Sequence, residues 1–257
     1  MAAGKGVRVE HHDGVALVTI DRPAVRNAVD RAGAERIAAA MDELDQREDL
    51  FAGVIAGAGG SFSAGMDLKA LAASGERPVD PGRGPFGLCE RPPAKPLIAA
   101  VEGAAFGGGF EIALACDCIV ASSDARFALP EVKRGLLAGG GGALRLPRRI
   151  PRNVALELLL SGEPLGAIRA HGLGLVNRLT APGEALAAAL ALAAAIAANA
   201  PLAVRASKRI AADSALWPEG EMFALQAPLA QPVRESGDAE EGTRAFVEKR
   251  APKWTGR

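Results

Sequence analysis

Three consecutive glycines, Gly107-Gly108-Gly109, stand between two apolar runs, Leu97-Ile98-Ala99-Ala100-Val101 on one side and Ile112-Ala113-Leu114-Ala115-Cys116 on the other. This junction constrains the fold more than any other stretch. The first run has the length of a buried strand and the second reads as a buried helix, so the chain passes from strand to helix through a turn almost without side chains. Bare glycines let a reacting group approach the backbone, and the free N–H groups of a helix start favour negative charge. Those are the ingredients of an oxyanion hole. Glu111 falls in the first turn of that helix, and a second acid, Glu131, follows Pro130 after another turn. Taken singly, Glu111 could simply complement the helix dipole and Glu131 could be an ordinary turn acid paired with Lys133 or Arg134. Placed together in one pocket, two carboxylates can act on opposite ends of a single water addition.

A second tight turn, Gly59-Gly60-Ser61-Phe62-Ser63-Ala64-Gly65-Met66-Asp67-Leu68-Lys69, follows the apolar strand candidate Phe51 to Ala56. Further strands are expected at Val7 to Glu10 and Val15 to Ile20, joined by the hairpin signal Asp13-Gly14, at Ile119 to Ala121 and at Val176 to Leu179. Helical periodicity marks Ala28 to Leu44, with Ile37, Met41 and Leu44 on one stripe. From Gly139 onward the pattern is mostly helical: Pro151 to Leu160, Leu165 to His171, Glu184 to Asn199, Pro201 to Asp213, Glu219 to Leu229 and Ser236 to Arg250. Strands that alternate with helices predict a layered α/β core, in which ligands bind where strands end and helices begin. The Gly-, Pro- and charge-rich segment from Ala73 to Pro93 reads as a mobile surface loop beside the pocket. Its Gly82-Arg83-Gly84-Pro85-Phe86-Gly87 has dinucleotide-fingerprint spacing, but no strand precedes it and Pro85 interrupts a helix start, so the match is accidental.

Composition excludes several partners. Thirty basic side chains balance thirty acidic ones, with no basic stripe to hold nucleic acid. Cys89, Cys116 and Cys118 make neither an even disulfide framework nor a metal spacing with nearby histidines, which points to a reducing, cytoplasmic setting with no metal. Met1 to Glu10 carries no apolar core of a secretory signal, and the uncharged stretch Ala185 to Leu202 is too alanine-rich for a membrane span, so no membrane partner is expected.

The two glycine turns and the two glutamates, in this register, resemble the crotonase superfamily, also called the enoyl-CoA hydratase/isomerase superfamily. The likeness extends to Arg22-Pro23 with Asn27-Ala28, Lys95-Pro96 before the first apolar run, Cys116-Asp117, Phe127, the Gly139 to Gly142 turn with Arg145-Leu146, and Phe246-Val247-Glu248-Lys249-Arg250 near the end. It implies a crotonase-type α/β spiral of repeated ββα units over residues 1–195 and a helical carboxyl-terminal region, 196–257, that packs against neighbouring subunits in a homotrimer or a dimer of trimers. It also implies reversible addition of water across the 2,3 double bond of an enoyl-CoA thioester.

In that reading the backbone N–H groups of Met66 and Gly108 hold the thioester oxygen. Glu111 accepts a proton from the attacking water while Glu131 holds the same water and delivers a proton to C2, and the two roles can be exchanged or shared. Coenzyme A lies over the 64–69 turn, with backbone groups of Ala64, Met66 and Leu68 toward the adenine, Lys69 and Arg26 toward the phosphates, and Asp67 capping the short helix that follows. Phe86 and Leu88 line the acyl tail, whereas Phe106, Phe110 and Phe127 pack the core. No cofactor is implied beyond coenzyme A as part of the substrate.

The chain departs from the pattern at Ala138, where many relatives carry proline, at Lys133-Arg134, which replaces an apolar pair, and in having no tyrosine; each bears on acyl specificity. Isomerases of the same group work with one carboxylate, and thioester hydrolases recruit other polar groups. A non-catalytic acyl-CoA-binding protein is the alternative from another class. A serine hydrolase lacks support, because His11 and His12 flank the hairpin turn and His171 ends a helix pattern.

Overall fold

The hairpin forms as expected: β1 (Val7–His12) and β2 (Val15–Ile20) pair antiparallel, Val7 opposite Ile20. The computed structural model describes residues 6–257, so the part of the amino-terminal reading that rests on residues 1–5 lies outside the described residues. Helix α1 (Arg31–Gln46) begins later than periodicity suggests, because the Asp30 side chain accepts from the amide of Gly33 and caps it there. Strand β3 (Ala52–Gly57) and the short helix α2 (Leu68–Ser74) flank the second glycine turn. A two-residue pair, β4 (Val79–Asp80) with β5 (Gly84–Pro85), precedes β6 (Leu97–Val101), β7 (Ala104–Phe106) and α3 (Gly108–Ala115). Then come β8 (Cys118–Ser122), β9 (Arg126–Ala128), a 3-10 turn at Pro130–Arg134, α4 (Gly142–Arg149) and α5 (Arg152–Ser161). The remainder is β10 (Leu165–Gly166), α6 (Ala167–Gly172), β11 (Arg178–Thr180), α7 (Ala185–Ala197), α8 (Pro201–Asp213), α9 (Met222–Arg234) and α10 (Gly237–Glu248).

A six-stranded sheet runs β1-β2-β3-β6-β8-β11, parallel from β2 onward, and a small second sheet runs β10-β9-β7. The chain thus repeats one unit. β6 lies in the large sheet, β7 in the small one, and α3 follows; β8 and β9 divide in the same way before the turn into α4. The fully buried strand runs are what a parallel sheet covered on both faces requires. One face packs Ile55, Leu97, Ala99 and Ile119 with α1 and α3, and the other packs Val54, Ile98 and Val120 with Ala185, Ala189 and Ala193 of α7.

The long uncharged stretch is therefore a core-facing helix. Among the described residues no single helix is long and apolar enough to cross a membrane. Helix α8 is tied to the core by Lys208, whose Nζ donates to the carbonyls of Pro93 and Lys95 and pairs with Asp117 at 2.7 Å.

One expectation is corrected here. The 73–93 segment is not a free surface loop throughout: Leu88 and Cys89 are in the core, and Arg83 is buried with its guanidinium 2.8 Å from both Asp42 and Asp45 of α1. Composition alone concealed this, because the aspartates that fold the loop inward lie about forty positions upstream (83 − 42 = 41, 83 − 45 = 38).

Candidate active site

Parallel pairing brings the two acids together. β7 and β9 run side by side with Phe106 opposite Ala128, and the Gly107 amide donates to the Ala128 carbonyl at 2.8 Å. The chain therefore leaves both strands at one level. Gly107 leads directly into α3, where Glu111 occupies the first turn, and Leu129 leads into the 3-10 turn that carries Glu131. A Cβ on Gly107 would lie 3.3 Å from Glu131 Oε1, which places the second acid against the glycine turn that launches the first.

The 64–69 turn reaches the same point from the other side. Phe62 and Ser63 donate to the carbonyls of Glu102 and Ala104, and Phe106 donates back to Ser63, so the stretch after β3 lies along the entry to β7. Buried Asn27 sets its shape by donating to the carbonyls of Ala58 and Ser61, which gives the Asn27-Ala28 signature a structural reason. Gly65 has φ 86°, and a Cβ there would lie 2.6 Å from the Gly108 nitrogen, so only glycine lets the turns meet this closely. Among the described residues neither the Met66 amide nor the Gly108 amide has a hydrogen-bond partner.

The carboxyls are held differently. Glu111 is 3% exposed, and its Oε1 accepts from the Gly142 amide at 2.9 Å. A Cβ at Gly140 would lie 2.6 Å from its other oxygen, so the glycine turn before α4 forms the wall behind this acid. Burial pushes the Glu111 carboxyl up to about 7, the Gly142 amide opposes that shift, and the charge of Glu131 adds to it. Burial also raises Glu131, against its own backbone amide and Arg134, and its Oε2 is buried without a hydrogen-bond partner.

Other expected residues fall around this centre. Asp67 caps α2, accepting from the amides of Lys69 and Ala70, and pairs with Arg22 at 2.9 Å. Arg26 is exposed beside the turn, and its carbonyl accepts from the Ala64 amide, leaving the Ala64 carbonyl on the turn. Leu68 and Lys69 are exposed, while Met66 is partly buried against the core. Phe110 and Phe127 are fully buried with ring centroids 5.1 Å apart, whereas Phe106 is only partly buried. Phe86 reaches the site, but Leu88 is core rather than lining.

Gly140, Gly142 and Arg145 were the neighbours that sequence did not connect to Glu111; the glycine run ahead of a helix was the available signal. Two grooves between α8, α9 and α10, one of about 550 Å³ lined by Arg234, Thr243, Arg244 and Val247, share no residue with the site. Among the described residues no group of three or more His, Cys, Asp or Glu is arranged to hold a metal.

Comparison with known proteins supports the same region of function space. A family model described as enoyl-CoA hydratase/isomerase matches residues 10–257. The chain is 41% identical to an enoyl-CoA hydratase of Mycobacterium tuberculosis, over 99% of this chain and 98% of that protein. It is 43% identical to a carnitinyl-CoA dehydratase of Salmonella typhi, over 93% and 94%. Among solved structures, an enoyl-CoA hydratase from Mycobacterium tuberculosis superposes with a TM-score of 0.96 at 56% identity, covering 98% of this chain and 99% of that one.

Proposed function

The chain belongs to the enoyl-CoA hydratase/isomerase family, and from that premise we propose that it adds water reversibly across the 2,3 double bond of an enoyl-CoA thioester. The observation that carries this reading is the convergence of Glu111 and Glu131 on a turn whose neighbouring amides, Met66 and Gly108, are unpartnered. The thioester oxygen accepts from those two amides as enolate-like charge develops. A pair of such donors in a water-poor site is a main contributor, since removing one from an acyl-transfer centre costs roughly 10²–10³ in rate.

The acids supply the proton traffic. In this reading one acid works protonated and the other ionised: burial raises both carboxyls, and the charge of Glu131 raises Glu111 further, which opposes double ionisation. The ionised member takes a proton from water as the hydroxyl oxygen bonds to C3, and the protonated member gives its proton to C2. One water is consumed, and the pair ends with the single proton it began with. Run backward, the same steps dehydrate a 3-hydroxyacyl-CoA, the direction named for the Salmonella relative.

Coenzyme A lies along the 64–69 turn, with the carbonyl of Ala64 and the backbone of Met66 and Leu68 toward the adenine and the exposed Arg26 and Lys69 toward the phosphates. It enters as part of the substrate, and the reaction calls for no further cofactor. Exposed Phe223, Phe246 and Val247 on α9 and α10 support assembly into a trimer or a pair of trimers. Three free thiols suit the cytoplasm.

The test follows loss of the conjugated thioester absorbance with short 2-enoyl-CoAs, for the wild type beside Glu111→Gln and Glu131→Gln. Each substitution is expected to lower the hydration rate by roughly 10²–10⁴. Hydration untouched by either change would favour a binding protein. A double bond that shifts position without water uptake, and survives Glu131→Gln, would favour an isomerase.

A further inference from the structure

One ring closes the acid site beside Gly108 and Gly140. Phe86, 6% exposed, packs its ring edge on Gly108 so closely that a Cβ there would overlap it. A Cβ at Gly140, the residue behind Glu111, would lie 3.1 Å from Phe86 Cε2. The ring therefore fills the space between the glycine whose amide faces the thioester and the glycine that backs the acid. A substrate seated as proposed above leads its acyl chain past C3 toward this ring.

The backbone of Phe86 has φ 57°, a left-handed conformation that a bulky residue keeps only when its surroundings over-determine it. Here they do. The Phe86 amide donates to the Pro78 carbonyl at 2.7 Å, and the Cys89 amide to the Pro85 carbonyl at 3.0 Å. Gly87 lies on the backbone of α1, where a Cβ would overlap the Ala34 carbonyl, and Arg145 of α4 donates to the Cys89 carbonyl. Arg83 fastens the start of the turn through Asp42 and Asp45. A ring carried on a backbone held from both sides, and packed on Gly108 and Gly140, acts as a fixed stop rather than a lid.

We propose that Phe86 sets the acyl length of the substrate and confines this enzyme to short-chain enoyl-CoAs. The proposal rests on the hydratase reading for the placement of the acyl chain. Refusal of extra methylenes by a packed wall is worth roughly 10–200-fold each before the chain finds another path.

The experiment compares four-carbon and ten-carbon 2-enoyl-CoAs, taking as readout the ratio of ten-carbon to four-carbon kcat/KM, which cancels any general loss of activity. The wild-type ratio is expected to be about 10⁻² or lower, and Phe86→Ala is expected to raise it at least about 10-fold, with Phe86→Leu between them. Phe86→Leu keeps the test in force if the alanine variant does not fold. Equal wild-type rates at both lengths, or a ratio that neither variant moves, overturns the proposal.

Binding of saturated butyryl- and decanoyl-CoA by calorimetry separates this outcome from failure of the hydratase reading. An enzyme that hydrates nothing but binds butyryl-CoA tighter than decanoyl-CoA, with the preference lost in Phe86→Ala, retains the stop without the chemistry. Equal binding of both esters by the wild type removes the stop as well.

Discussion

Glu111 ionises at a cost to the fold. Its folded-state pKa of about 7 lies above the ordinary value of 4.5, so the neutral carboxyl is the form the fold tolerates. The sign follows from linkage: the stability associated with the bound proton is fully present below the unfolded pKa and is lost as pH rises through about 7. Glu111→Gln keeps an oxygen for the Gly142 amide and removes the charge. The variant is expected to exceed the wild type in stability by about 1–3 kcal/mol at a pH of about 8, with the gap closing near or below the ordinary carboxylate pKa. Urea unfolding across that range measures it. A variant less stable than the wild type at high pH would mean that the carboxylate is stabilised by contacts other than those seen around it. Stability gained together with activity lost is the pattern of a group kept for chemistry.

At the level of elements, the site depends on segments that meet only in three dimensions. The buried Arg83 guanidinium fastens the 73–93 segment to α1, and Arg83→Met leaves Asp42 and Asp45 facing each other without it. Breaking a fully buried pair costs about 3–5 kcal/mol, and because both aspartates are partly exposed a loss of about 2–3 is expected, read from the urea midpoint. An unchanged midpoint would show that the segment is held by its apolar contacts alone.

The strands at Val15–Ile20 and Leu97–Val101 and the glycine turn into α3 were legible in sequence, because length, apolarity and bare glycines are local signals. So was the placement of Glu111 and Glu131 beside glycine turns, and of the 64–69 turn against Gly108. The small sheet was not, since strands of two or three residues carry no periodicity. Nor were the inward fold of the 73–93 segment and the Gly142 amide on Glu111, both fixed by partners thirty or more positions away (142 − 111 = 31).

For the molecule as a whole, the distribution of apolar side chains is uneven. The sheet is buried on both faces, yet Phe223 and Phe246 are each 85% exposed on the carboxyl-terminal helices, and Leu137, Leu144, Leu160 and Ile168 are exposed elsewhere. Two phenylalanines left this exposed on neighbouring helices are candidates for a contact between subunits. Sedimentation is expected to find three or six copies, and Phe223→Asp with Phe246→Asp is expected to lower that number. A wild-type chain that sediments as a monomer would refute the assembly proposed here.

The central claim is that Glu111 and Glu131 act as one unit on one water, and a double-mutant cycle on the hydration rate of a short enoyl-CoA tests it most directly. Residues that work as a unit lose most of their contribution when either is removed. Glu111→Gln with Glu131→Gln is therefore expected to hydrate within about 10-fold of the slower single variant. Losses that multiply, so that the double variant falls by the product of the two single effects, would contradict a shared water and place the two acids in separate tasks.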